Sequence, residues 1–268
     1  MLAAIDWSRP WYDSVRDAAS CLAGQGEHFR DAFSARATAL GLCNHRGLPL
    51  SFVPQEALPD GTAYEEFIGA SGGVPTRDNL HDFFNGLVWL SFPRIKVQLN
   101  ALQAAQIARD GVGKSRGPAR DGATIFDENA ALLVVRTGAA GRALVEALAE
   151  HRWREAFIGR RASFGAAADA EVWIFGHALM EKLVAPRKAI TAHTRVVWAD
   201  DAFFASGHAA RRAWIDATVA QELVQQGLST AGFMPMQALG VPGWWPDQDD
   251  AFYADQKVFR AKRQSAVK

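Results

Sequence analysis

Apolar positions recur at helical spacing along much of the chain, most clearly from Leu80 to Trp89. At about 100° per residue, Leu80, Phe83, Phe84, Leu87 and Val88 share one arc, the pattern of a helix packed on a core. Asp78, His81, Asp82, Asn85 and Trp89 share the neighbouring arc, so a chemically able stripe borders the buried one. Thr76 is the expected N-cap, and Asp78 in the first turn suits the positive end of the helix dipole. Ser91-Phe92-Pro93 interrupts the pattern, because proline lacks a backbone donor and belongs in the first turn of a new helix, with Ser91 as its cap. On that second helix Ile95, Leu99 and Leu102 form an apolar stripe, and Lys96, Asn100 and Gln103 a polar one. Two such helices meeting at a proline break are expected to enclose a small pocket.

The same reading predicts helices over 11–24 and 26–41, the latter carrying Phe29, Phe33 and Ala37 and stopping at Gly41. An edge strand is expected over 48–54, where its prolines are tolerated, and a short helix over 63–70. Ala123-Thr-Ile-Phe and Ala130-Ala-Leu-Leu-Val-Val read as a hairpin with Asp127-Glu-Asn at its tip. Asp121, Asp127 and Glu128 look at first like metal carboxylates, but at a hairpin tip the turn role is favoured and the ligand role is the alternative. A helix is expected over 140–158. The segment 171–183 starts as a strand and becomes helical, with His177 and Glu181 four apart on one face. A strand over 190–198 carries His193, and a helix over 209–226 carries Trp214, Val219 and Leu223. After Gly232 the density of proline and glycine predicts an irregular segment, drawn onto the body by Trp244 and Trp245. Together these elements predict an α+β class: a mainly helical single domain over 1–268, with a small, largely antiparallel sheet and an irregular Trp/Pro-rich C-terminal segment. Within it, a helical N-terminal part covers 1–47 and a body covers 48–260.

Composition narrows the partners. With 49% hydrophobic and 22% charged residues the chain is an ordinary soluble globular protein. A formal charge of zero and a pI near 7.1 make nucleic acid an unexpected partner, and no run approaches the roughly twenty apolar residues of a membrane span. A cytoplasmic location is expected, with Cys21 and Cys43 unbridged. The Gly-rich loop from Gly111 to Arg120 invites comparison with a phosphate-binding loop, but Ala108 stands where that motif needs its first glycine. Lys114, Arg116, Arg120 and Lys188 are retained as anion-binding candidates.

The chemistry-bearing residues are His81, Asp82, Asn85, Lys96, Asn100, His177 and Glu181, expected around one cleft. Histidines beside carboxylates suit acid-base work or a divalent metal, for which the candidate ligands are His81, Asp82, His177, Glu181 and His193. Lys96 and the Arg120 loop would neutralise a small anionic substrate. The leading expectation is therefore a hydrolase-like enzyme, with metal-assisted phosphoester hydrolysis its most economical form. The alternatives are a non-enzymatic binding or scaffold protein, in which these polar groups only satisfy buried backbone, and a nucleic-acid-binding protein using a patch of Lys114, Arg116, Arg120, Arg160, Arg161, Arg187 and Lys188.

The chain resembles a bacterial family, the domain-of-unknown-function family numbered 3025. The resemblance rests on Val74-Pro-Thr-Arg-Asp-Asn-Leu-His-Asp-Phe-Phe-Asn85 with Phe92-Pro-Arg94 and Leu99-Asn100, and on Arg120-Asp-Gly-Ala-Thr-Ile-Phe-Asp-Glu-Asn129. It extends to Phe175-Gly-His-Ala-Leu-Met-Glu-Lys182 with Pro186-Arg-Lys188, and to Gly240-Val-Pro-Gly-Trp-Trp245 and Phe252-Tyr253. It covers nearly the whole chain from about residue 48, and it implies no particular activity, fold or cofactor.

Overall fold

Short strands alternate with longer helices in a computed structural model, which describes residues 1–21, 29–110, 118–165 and 168–262. Helices α1 (Asp13–Ser20) and α2 (Phe29–Ala39) precede strand β1 (Ser51–Pro54), helix α3 (Tyr64–Ser71) and strand β2 (Gly73–Thr76). Next come α4 (Leu80–Ser91), α5 (Pro93–Asp110), α6 (Pro118–Asn129), β3 (Ala130–Arg136) and α7 (Ala139–Ala149). The order continues through β4 (Ala170–Ile174), α8 (His177–Lys182), β5 (Thr191–Ala199) and α9 (Asp201–Ala205) to α10 (His208–Gln226), β6 (Met234–Gln237) and α11 (Asp250–Tyr253). The class is α+β, mainly helical, as the pattern predicts.

The larger sheet runs β4-β3-β5-β6, antiparallel at both outer pairs and parallel between β3 and β5. Its centre is the most apolar run of the chain, and Ala130 to Val135 are buried on both faces, as a strand covered on both sides requires. One contiguous core extends from Ile5 to Phe259 and takes in the C-terminal segment, where Trp244 is buried and Tyr253 and Phe259 pack on Phe157. Helix α2 lies so close to α4 that a Cβ at Gly86 would stand 2.2 Å from the Phe33 ring. Among the described residues no helix is long and apolar enough to cross a membrane. Cys21 and Cys43 are exposed and unbridged.

Four expectations are corrected. Thr76 does not cap α4; it ends β2, which pairs in parallel with β1. The cap is Asn79, whose side chain accepts the Asp82 amide at 2.7 Å. The hairpin over 123–135 is instead the end of α6 followed by β3. Thr124 and Ile125 favour extended backbone, but tertiary packing overrides that preference: the helix buries Ala123 and Phe126 on one face. The helix expected over 140–158 stops at Ala149, and His151 then takes a left-handed conformation with φ 55°. Finally, the tail expected to be irregular contains β6, where Pro235 is accommodated because the strand lies at the sheet edge.

The start of α5 is capped from a distance. Asp216 on α10, 5% exposed, accepts the backbone amides of Arg94 at 3.1 Å and Ile95 at 2.9 Å. This supplies partners to orphan donors of the first turn, the role assigned above to Ser91. Burial pushes the Asp216 carboxyl up to about 6, although both amides oppose the shift. Because the folded-state value lies above the unfolded one, the stability from this group is complete at low pH and is lost as pH rises through about 6. Between pH 7 and pH 4 the wild type is therefore expected to gain up to about 3 kcal/mol over Asp216→Asn, as urea unfolding at the two pH values will read out.

Candidate functional site

Helices α4, α6 and α8 converge on one cavity of about 310 Å³, with α3 and α5 supplying its other wall. His81 sits in the first turn of α4, just after the Asn79 cap. Thr124, Asp127 and Glu128 project from one face of α6 at three-and-four spacing, and His177 opens α8. Gly176 makes the last placement possible. Its backbone angles are ordinary, but a Cβ there would meet Ala130 N at 2.5 Å and both Asn129 N and Glu128 O at 2.6 Å. Only glycine lets the β4–α8 junction approach the α6–β3 junction this closely.

The approach brings His177 Nε2 to 3.1 Å from His81 Nε2, with the rings nearly perpendicular. Carboxylate oxygens of Glu128 lie 3.7 Å from His177 Nε2 and 4.0 Å from His81 Nε2. His81, Glu128 and His177 thus offer one ligand atom each within a sphere suited to a metal ion. The outer nitrogens also face acids: His81 Nδ1 hydrogen-bonds Glu181 Oε2 at 3.1 Å, and His177 Nδ1 lies 3.9 Å from Asp127. Burial holds His177 down at about 4, so its imidazole is neutral at pH 7. Burial raises the Glu128 carboxyl, and the charge of His81 only partly offsets this.

Behind these groups lies a buried polar network. The Lys96 ammonium, its side chain 4% exposed, donates to Asp127 Oδ1 at 2.6 Å and to Asn85 Oδ1 at 2.8 Å. It also sits over the Trp89 ring, 5.2 Å from the centroid. Burial alone would raise the Asp127 carboxyl, but Lys96 and His177 outweigh it and hold the group below its usual range. Asn85 Nδ2 donates to the Tyr64 hydroxyl at 3.0 Å. On the α3 side, Asn100 Nδ2 donates to Glu65 Oε2 at 2.6 Å, and Asn100 Oδ1 lies 3.0 Å from His45 Nδ1. Burial raises the Glu65 carboxyl.

Of the residues singled out from sequence, His81 meets both His177 and Glu181 directly. Asp82 lines the cavity but is engaged by Arg77, whose Nε and Nη2 reach its two oxygens at 2.9 and 3.0 Å. Asn85, Lys96 and Asn100 form the surrounding network. His193 lies on β5 beside Phe233, outside the cavity lining. Lys188 is bound to Asp255 at 3.1 Å and packs on Phe252, in the C-terminal segment. Arg120 occupies the first turn of α6, within electrostatic reach of Glu65. Lys114 and Arg116 lie outside the described residues. Sequence reasoning placed Asp127 and Glu128 at a hairpin tip and favoured a turn role for them, and it missed Tyr64 and Glu65; reading α6 as a helix would have placed Thr124, Asp127 and Glu128 on one face.

Two substitutions test how the site is held. Gly176→Ala is expected to destabilise the fold by about 1–3 kcal/mol through backbone overpacking, measurable by chemical denaturation. Lys96→Met leaves Asp127 buried without its cation, and a loss of about 3–5 kcal/mol is expected in the same measurement.

The family described as a protein of unknown function (DUF3025) matches residues 50–263. No curated protein and no solved structure matches the chain. With most of its length inside that match, and His81, Glu128 and His177 among the matched residues, the chain belongs to the DUF3025 family.

Proposed function

We propose that this protein is a metal-dependent hydrolase, its divalent ion held by His81, Glu128 and His177. The observation that carries the reading is the 3.1 Å separation of the two Nε2 atoms, with Glu128 facing both. Tetrahedral nitrogen ligands bonded at about 2.05 Å stand about 3.3 Å apart, close to this spacing. A cation uses both lone pairs at once, whereas without one a nitrogen must carry a proton to satisfy the other. The Glu181 contact supports the same reading, since a carboxylate on the far nitrogen of His81 fixes the tautomer and orientation of a ligating histidine. A neutral His177 is the form that binds metal.

Two histidines and one carboxylate leave coordination positions open. An ion held this way lowers the pKa of water and polarises a carbonyl or phosphoryl oxygen, which is the chemistry of hydrolysis. The phosphoester version asks for cations free to meet phosphate. Arg77 and Lys96 are instead engaged by Asp82 and Asp127, so the site suits a small polar molecule better than a phosphoester.

Calorimetric titration of the metal-free protein with Zn²⁺ and Mn²⁺, together with metal analysis of the purified protein, tests the proposal. One equivalent is expected to bind, with binding lost in His81→Ala and His177→Ala and weakened about 10–100-fold in Glu181→Gln. A melting temperature indifferent to both ions would overturn it.

A further inference from the structure

Resting on that metal reading, we infer that the cavity recognises a neutral amide-type substrate, with its carbonyl toward the ion and its N–H toward Glu65. Four carboxylates line the cavity: Glu65, Asp82, Asp127 and Glu128. Asp82 is matched by Arg77, Asp127 by Lys96, and Glu128 faces the two imidazoles. Glu65 is different. Among the described residues no Lys or Arg hydrogen-bonds its carboxylate; Lys96 and Arg120 act on it only through space.

Its placement is nonetheless firm. Asn100, 1% exposed, donates from one amide nitrogen to both Glu65 Oε2 at 2.6 Å and the Glu65 backbone oxygen at 2.8 Å. His45 fixes the other end of that amide at 3.0 Å. This locks one carboxylate oxygen and leaves Oε1 without a hydrogen-bond donor among the described residues, in a wall of the cavity. The cavity lining therefore combines the proposed ion site, with its one anionic ligand, and a carboxylate acceptor on Glu65.

An amide matches that combination, because it presents a carbonyl acceptor and an N–H donor. A phosphate dianion carries two negative charges and is repelled by Glu65. The volume of about 310 Å³ sits at the lower end of small-molecule pockets and restricts the ligand to a small one. Gln103 and Thr124 add neutral polar contacts. Hydrolysis of such a substrate joins the oxygen of water to the carbonyl carbon and breaks the C–N bond. A proton from the water passes to the departing nitrogen, and the products are a carboxylic acid and an amine.

The test uses the full chain loaded with Co²⁺, whose visible absorption reports ligands entering its coordination sphere. Acetohydroxamic acid, which chelates the ion through its two oxygens and carries an N–H for Glu65, is compared with inorganic phosphate, and the Glu65 variants separate the N–H contact from chelation. The wild type is expected to bind acetohydroxamic acid at least about tenfold more tightly than phosphate. Glu65→Ala is expected to weaken acetohydroxamic acid about tenfold, and Glu65→Gln to strengthen phosphate by a similar factor, both with unchanged Co²⁺ affinity. Tighter binding of phosphate by the wild type, or variants that alter neither ligand, would overturn the inference while leaving the metal site standing. Failure of the wild type to bind Co²⁺ would overturn the metal reading, and this inference with it.

Discussion

A single buried ammonium holds this region of the protein together. Taking a lysine charge out of water costs several kcal/mol, and Lys96 is compensated only where its three partners stand. Those partners come from two other helices: Asn85 and Trp89 from α4, Asp127 from α6. The pair therefore sets the spacing of α4, α5 and α6 more tightly than apolar packing would, because apolar contacts tolerate sliding and a desolvated ion pair does not. Glu128 follows Asp127 directly, so the same bond that anchors α6 also aims its next carboxylate at the histidines. At the other end of the same stretch, the Asp216 cap pins the first turn of α5 one residue before Lys96.

Local periodicity made part of this legible. The stripe of His81, Asp82 and Asn85 and the four-residue step from His177 to Glu181 are properties of single helices, and a helix is readable from its own sequence. The α+β class followed from alternating helical and extended patterns. What escaped was non-local or locally ambiguous. Ala123-Thr-Ile-Phe has strand-like composition beside an apolar run, and nothing within it announces that Phe126 will face a core while Asp127 faces a cavity. The Asp216 cap joins residues 121 positions apart, and Glu65 is one acid among many until Asn100 is seen against it. Gly176 carries no local signal of its role; the need for it lies in the backbone of another segment.

The electrostatic arrangement is economical in a specific sense. Each acid near the cavity is assigned to one task by its neighbours: Asp82 to the Arg77 guanidinium, Asp127 to Lys96, Glu181 to the outer nitrogen of His81. That leaves Glu128 and Glu65 as the carboxylates addressed to the interior of the cavity. Burial raises both carboxyls.

The two facing histidines are separated by 96 positions in the chain, and Glu128 comes from a third segment between them. Closing such long loops carries an entropic cost that only the assembled core can meet. The β3 strand must be paired and the Gly176 junction seated before the three side chains share a space. A partly folded chain therefore carries isolated histidines and not the assembled cluster. The proposed metal site is thus a property of the finished fold, and no single segment of the chain carries it.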